Sequence, residues 1–326
     1  MAVTVGSLYA LIALGYTMVY GILKFINFAH SDVVVLGAWG SFLFASALLP
    51  RVGVGAPLPW WVGGAALLFA MALCGLTGFL IERFAYRPLR GAPRLNVLIT
   101  AIGVSLFLQN AGQLQFTLVR GDDTAQPPAP ALRLPFGTQP QRMPTLLPDS
   151  DLLVIGEGQS TARIGSLDVV IIATALALMV LLDLLVRRTK FGMAMRAVSF
   201  NTDSAALMGV PVNRVISMTF VLGAVLAAAA GFLYVLKFPT VQQTAHPTWV
   251  LVGLKAFVAA VVGGIGNLRG AVLGGFLIAF AEQFGESYLQ KYLGSGLKDV
   301  YVFSALILVL LLRPTGILGS PLREKV

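Results

Sequence analysis

The chain has 326 residues, of which 57% are hydrophobic and 11% charged, with a formal net charge of +9, 35 glycines and one cysteine. Soluble domains carry about 25% charged residues, so this composition excludes a water-soluble enzyme and fits helices packed closely in lipid, where glycine lets backbones approach. The basic residues fall in short clusters between apolar runs, which excludes a nucleic-acid-binding face and makes membrane topology the source of the positive charge.

Apolar runs cover residues 3–20, 33–49, 60–81, 95–118, 167–186, 215–236, 250–265, 271–284 and 300–312. The longer ones reach the roughly 20 residues needed to cross a hydrocarbon layer of about 30 Å. They predict an all-α, polytopic membrane helix bundle of eight or nine spans, forming a single transmembrane domain over residues 1–326. The first run lacks the basic n-region and small-residue cleavage site of a signal peptide, and reads as the first span.

Between the first two runs lies "INFAHSD", with Asn27, His30, Ser31 and Asp32. Read by itself it is a polar cytoplasmic connector between two apolar runs, in which Ser31 or Asp32 caps a helix that resumes at Val33. Next in the chain, Arg83, Arg87, Arg90 and Arg94 form a basic cluster. A second holds Arg187, Arg188, Lys190, Arg196 and Arg214, and a third Arg313, Arg323 and Lys325. An even number of spans separates successive clusters, so all three can face the cytoplasm. Residues 119–166 offset their arginines with Asp122, Asp123, Asp149, Asp151 and Glu157 and suit the outer side. A loop this long is a lid, a docking surface or a disordered stretch.

Residues 187–214 predict a cytoplasmic helix-turn-helix knob. Lys190 to Ser199 are good helix formers, Thr202 or Asp203 can cap a second short helix, and Gly209 with Pro211 ends it. Met193, Met195, Leu207 and Met208 mixed with arginine give it the composition of a docking surface, the alternative being an amphipathic helix lying on anionic lipid. At the end of the preceding span, Asp183 can pair with Arg187, its i+4 neighbour. Further on, "VVGGIGNLRGAVLGG" is either a tight turn between two short helices or the break in a re-entrant hairpin. Gly266, Gly270 and Gly274 are spaced by four and predict close helix packing, to which Gly263 and Gly275 add. Glu282 and Glu286 share a helix face, and Lys255 is their nearest available cation; an intramembrane charge of this kind faces the bundle interior with a partner.

No P-loop motif occurs. The histidines, His30 and His246, lack ligand-spaced companions, and Cys74 by itself makes neither a disulfide nor a thiolate cluster, so no metal site is expected. Nor is there a nucleophile, base and orienter grouping, so no catalytic residue is expected.

"AALMG", Ala205 to Gly209, resembles the Ala-Ala-x-x-x-Gly core of the coupling segment of ABC importer permeases, with Ser204 where a glutamate often stands. Together with "GYTMVYGILKFINFAHSD", "ERFAYRPLR", "AIGVSLFLQN", "FGMAMRA", "KAFVAAVVGGIGNLRGA" and "RPTGILG", the chain is similar to LivH-type permeases of high-affinity branched-chain amino acid importers. Only residues 119–166, longer than usual for that family, fall outside the match. The resemblance implies a type II-like importer permease in the bacterial inner membrane that moves leucine, isoleucine and valine. It implies a second, LivM-type permease subunit, a periplasmic substrate-binding protein, and two cytoplasmic ATPase subunits that hold the ATP and Mg; no cofactor is implied on this chain. ATPase coupling would fall to Gly192, Met195, Arg196, Ala205, Ala206, Met208 and Gly209. In the wider group, which includes ribose-type importers, the second span is similarly interrupted, and Asn27 and His30 would then offer neutral hydrogen-bonding groups to a passing zwitterion. Relatives carry other amino acids, urea or short amides. A proton-coupled secondary transporter, the competing class, would need an intramembrane acid that titrates during transport.

Overall fold

The computed structural model describes residues 1–52, 59–114, 117–119, 132–133, 139–147, 149–155, 162–289 and 297–319. Its helices are α1 (Ala2–Leu23), α2 (His30–Val52), α3 (Trp60–Ile81), α4 (Arg94–Ala111), α5 (Ser166–Arg188), α6 (Lys190–Phe200), α7 (Thr202–Leu207), α8 (Val212–Lys237), α9 (Pro247–Gly263), α10 (Leu268–Phe284) and α11 (Lys298–Leu312). A π-helical turn, Glu82–Tyr86, and a 3-10 turn, Arg87–Leu89, extend α3. Among the described residues α1, α2, α3, α5 and α8 are long and apolar enough to cross a membrane, while α4, α9 and α11 are shorter apolar helices. Among the described residues six short strands form antiparallel pairs: β1 (Thr117–Val119) with β2 (Leu132–Arg133), β3 (Gln141–Arg142) with β6 (Thr240–Val241), and β4 (Asp151–Ile155) with β5 (Ala162–Gly165). The all-α reading holds for the bundle. Most strands are too short for a period-2 pattern to register in the sequence.

α1 is the axis of the fold. Within its apolar span 89% of residues are buried, against 28% for α3 and 22% for α5, so α1 is wrapped by α5, α8, α9 and α10 while α3 and α5 turn apolar faces outward. Water competes for no backbone group inside such a bundle, so helices are the economical state of the chain there. Where two helices cross closely, the contact is backbone to backbone. A Cβ on Gly231 of α8 would stand 2.1 Å from the carbonyl oxygen of Val34, and one on Gly37 of α2 would stand 2.5 Å from Cα of Ala228. α9 and α10 meet the same way: Gly270 faces the Gly263 carbonyl and Gly274 the Ala259 carbonyl, while Gly275 faces Ala10 of α1. Gly266 departs from the expected packing stripe. It lies in the turn between α9 and α10 with φ 95° and open space around its Cα, so its freedom serves the turn.

In "VVGGIGNLRGAVLGG" two short helices are joined tightly by that turn, with the Asn267 side chain accepting from the amides of Arg269 and Gly270. It lies against the segment after Arg313: Ile317 N donates to Val262 O at 2.9 Å and Leu318 N to Gly263 O at 3.0 Å. At the opposite end, Trp39 of α2 and Trp249 of α9 both donate their indole N–H to Gln242 O, at 3.0 and 3.2 Å. β3 of the long connection pairs with β6 there, and Met143 and Leu146 are buried in the core. Much of the 119–166 loop, and Arg323 and Lys325 of the tail, lie outside the described residues.

Two predicted caps move. α2 begins at His30, three residues before Val33, so Ser31 and Asp32 sit in its first turn, and Ser31 Oγ donates to Phe28 O at 3.1 Å. α7 is capped by Asn201, whose side chain accepts from Ser204 N, in place of Thr202 or Asp203. Asn201 adopts the extended backbone a cap requires, and Thr189 caps α6 equivalently.

The crossing of α2 and α8 yields a paired prediction. Gly231→Val drives a side chain into the Val34 backbone, which cannot yield as a rotamer can, and should destabilise the chain by about 1–3 kcal/mol. Gly103 of α4 has nothing within 4 Å of its added Cβ, so Gly103→Ala should be neutral or stabilising by up to about 1 kcal/mol. Apparent Tm of the two purified variants in one detergent reads the difference.

Candidate functional site

α1 ends at Leu23, and Lys24 follows in the left-handed conformation with φ 57°. A non-glycine residue seldom sits there, and it turns the chain back on itself. Six residues later His30 is packed against the middle of α1: its Nε2 donates to Ile12 O at 3.2 Å, and its ring meets Tyr16 at a centroid distance of 4.5 Å. Ile12 lies about 16 Å along the helix axis from Leu23 at 1.5 Å per residue. A stretch of six extended residues reaches about 20 Å. Residues 24–29 therefore return into the bundle, and α2 starts level with the midpoint of α1. "INFAHSD" thus lies level with the middle of α1, a helix long and apolar enough to cross a membrane.

Glycines make the room. A Cβ on Gly15 of α1 would stand 2.3 Å from the His30 ring, and one on Gly253 of α9 would stand 2.2 Å from the Ser31 Cβ. The four polar residues of the interruption then diverge. Asn27 is buried and accepts from Tyr86 Oη at 2.7 Å, tying the returning stretch to the end of α3. His30 is buried against α1. Ser31 faces a cavity of about 220 Å³, which Ile26 and Phe28 share with Ile102, Leu106 and Gln109 of α4 and Leu254 of α9. Asp32 is 5% exposed and stands behind that wall, where Gln109 Nε2 donates to its Oδ1 at 2.9 Å and to Ser105 Oγ at 3.2 Å. Its Oδ2 has no hydrogen-bond partner. The structure thus places Ser31 on the cavity, Asp32 one hydrogen bond behind it, and Asn27 and His30 in the supporting frame. Sequence reasoning missed Ser105 and Gln109; they are one turn apart in "AIGVSLFLQN", a spacing that puts them on one helix face.

Three carboxylates are buried among the described residues: Asp32, Glu82 and Glu282. Glu282 of α10 pairs with Lys255 of α9 at 2.7 Å, as expected, and also accepts from Tyr9 Oη at 2.8 Å. Lys255 pairs as well with Asp299 of α11 at 2.7 Å, while Glu286 is exposed. These groups border a second cavity of about 420 Å³ at the end of the bundle away from the basic clusters. Glu82 accepts from Arg90 and from Ser217 of α8, and Arg90 reaches Asn213 at the start of α8. Asp183 and Arg187 pair at 2.7 Å, as their spacing predicts. Asp32 stands apart. It has Gln109, and the first turn of α2 supplies a favourable dipole worth about 0.3–2 kcal/mol, but burying an ion costs several kcal/mol and no cation faces it among the described ion pairs.

The 187–214 segment forms the predicted knob. Phe200, Leu207 and Met208 are strongly exposed, Leu207 at 90% and Met208 at 85%, and Met193, Arg196, Ala206 and Gly209 are exposed with them. Gly192, Met195 and Ala205 are buried, which corrects the reading of Met195 as surface. At three residues after Gly192 it lies on the inner face of α6, where a Cβ on Gly192 would stand 2.0 Å from the Val186 carbonyl. Gly209, with φ 81°, ends α7. Ser199 Oγ donates to Gly21 O at 2.6 Å, so the knob holds the last turn of α1 three residues before the chain folds back. His246 accepts from Thr248 N and caps α9.

Comparison with known proteins agrees with this architecture. The high-affinity branched-chain amino acid transport system permease protein BraD of Pseudomonas aeruginosa is 41% identical over 325 residues, covering 99% of this chain and 95% of its own. The corresponding LivH of Escherichia coli K12 is 38% identical with the same coverage. A probable branched-chain amino acid transport permease, LivH of Methanocaldococcus jannaschii, is 26% identical over 98% of this chain and 90% of its own. The model of the family described as "Branched-chain amino acid transport system / permease component" matches residues 1–312. With α1 through α11 inside that match and the relatives aligned almost end to end, this multi-pass membrane chain belongs to the family of branched-chain amino acid transport permeases.

Proposed function

We propose that this chain is one permease subunit of an ABC importer that moves leucine, isoleucine and valine across the bacterial inner membrane. The observation that carries the reading is the start of α2 at mid-depth beside a small apolar cavity. Irregular backbone at that depth is tolerated only where it is buried in protein or lines a cavity, and here it does both. A volume of about 220 Å³ is below the roughly 300–1,000 Å³ of drug-sized pockets and suits a small aliphatic solute. Ile26, Ile102, Leu106 and Leu254 offer apolar contact, and Ser31 with Gln109 a polar edge. Residues Asn27, His30, Ser31 and Asp32 act as frame and lining of the pathway. Gly266, Gly270 and Gly274 belong to the α9–α10 unit beside it, and Lys255 with Glu282 is a structural pair.

The chain itself catalyses no reaction and holds no cofactor. ATP and Mg are bound by two cytoplasmic ATPase subunits, which dock on the knob through Arg196, Ala206, Met208 and Gly209, while Gly192, Met195 and Ala205 set its shape from beneath. A second, LivM-type permease completes the pathway, and a periplasmic binding protein delivers the amino acid to the outer face. Motor closure displaces α6 and α7, and the Ser199 bond to Gly21 carries that displacement to the end of α1 and the returning stretch, exposing the cavity to each side in turn.

Uptake separates this reading from its competitors. Cells expressing the chain with its neighbouring transport subunits should accumulate labelled leucine, with isoleucine and valine competing and urea not. Accumulation should survive a protonophore while ATP is maintained and stop when the ATPase P-loop lysine is replaced. Loss with the protonophore alone would move the chain to the proton-coupled class, and urea competition would move it to the amide carriers.

Docking on the knob has its own test. Met208 and Ala206 are exposed, so Met208→Asp or Ala206→Asp should leave membrane insertion and apparent Tm unchanged. Both should lower ATPase co-purification and leucine uptake together, by about tenfold or more if the position is a buried interface centre. Wild-type co-purification in both variants would place the motor elsewhere.

A further inference from the structure

We propose that Asp32 is the ammonium anchor of the pathway: the missing cation of this buried carboxylate is the α-ammonium of the transported amino acid. The proposal rests on the import function argued above and goes beyond it by naming the group that reads the charge on the substrate. Its basis is a contrast within the molecule. Glu82 and Glu282, the other buried carboxylates among the described residues, each have a basic side chain in contact, Arg90 and Lys255. Among the described residues Asp32 has neither lysine nor arginine in contact, and one of its oxygens is without a hydrogen-bond partner. An ionisable side chain inside a membrane bundle marks a pathway or a partner, and no described residue of this chain is that partner.

Position makes the ligand specific. Asp32 lies one residue from Ser31 and is bonded to Gln109, and both of those line the cavity. Gln109 holds the other oxygen, Oδ1, and also donates to Ser105. Gln109 both lines the cavity and bonds Asp32, so in this proposal its amide rotates aside to bring the carboxylate to the cavity. An amino acid placed with its aliphatic side chain against Ile102, Leu106 and Leu254 can then bring its ammonium to Asp32. A charge-assisted hydrogen bond from ammonium to carboxylate is about twice as strong as a neutral one. A solute lacking the amine leaves the buried oxygen as it was, so the site rejects it.

The test uses the permeases assembled with their ATPases and without the binding protein, so that the permeases alone select the solute, with Cys74→Ala and a reporter Ile102→Cys in this chain, and follows labelling of the reporter by N-ethylmaleimide. Leucine should slow labelling, whereas 4-methylpentanoate, which keeps the leucine side chain and carboxylate without the amine, should not. Asp32→Asn should raise the leucine concentration for half-protection by about tenfold or more, and Asp32→Glu should restore part of it. Equal protection by leucine and 4-methylpentanoate, or unchanged protection in Asp32→Asn, would overturn the assignment while wild-type leucine uptake remained intact. Should Asp32→Asn fail to assemble, the comparison of the two solutes in the Asp32 background decides by itself. Absence of leucine uptake in the wild-type transporter strikes the import function instead.

Discussion

Everything near the centre of this protein depends on a backbone constraint. Away from water, each peptide N–H and C=O must find a partner inside the protein, and the helix is the local way to provide it. Residues 24–29 give up that solution at membrane depth, so tertiary contacts must supply what the helix would have. Lys24 N still bonds Tyr20 O, His30 N bonds Asn27 O, and the Ser31 hydroxyl takes the Phe28 carbonyl. The side chains of Asn27 and His30 fasten the stretch to Tyr86 and Ile12. Gly15 and Gly253 leave the space it occupies. The start of α2 level with the middle of α1, a cavity beside that start and a buried carboxylate in its first turn all follow from that single return of the chain.

Charge is distributed by the same logic. At the end with the basic clusters, Glu82 joins the π-helical extension of α3 to Arg90 and to the start of α8. At the other end, Lys255 joins α9 to α10 and α11 through Glu282 and Asp299, and Lys237 joins α8 to Asp168 of α5 at 2.6 Å. Through Ser217, Asp299 and Asp168 these charged groups tie together helices that are not consecutive in the chain. Buried pairs are poor sources of net stability because desolvation offsets attraction, but removal of one partner strands the other, so they resist alternative packings of helices whose apolar faces are otherwise interchangeable.

The knob formed by α6 and α7 is mechanically continuous with the interruption. Its outer face carries Leu207 and Met208 in the open, and its inner face is locked through Gly192, Met195 and Ser199. A rigid surface of this kind transmits displacement; a loosely held one would absorb it. The last turn of α1, gripped at Gly21, lies three residues from the left-handed turn at Lys24. The proposed docking face and the proposed pathway are thereby joined by a short, well-packed route.

By itself the sequence determined the membrane class, the positions of the helices, and the family. Those properties are local: apolar run length and motifs read along the chain. It also determined contacts within reach of one helix or one turn, such as Asp183 with Arg187 and the end of α7 at Gly209. The tertiary structure decided the rest. Whether "INFAHSD" is a surface connector or a break at mid-depth depends on where His30 lands on α1. Gly266 shares the spacing of Gly270 and Gly274, but the α9 backbone faces only the latter two. Met195 shares the composition of Met193 and Met208 but points inward. Lys255 found Asp299 as well as Glu282. The isolation of Asp32 from the basic side chains of the described residues is likewise a property of the assembled bundle, because a missing partner is defined only once the neighbouring helices are in place.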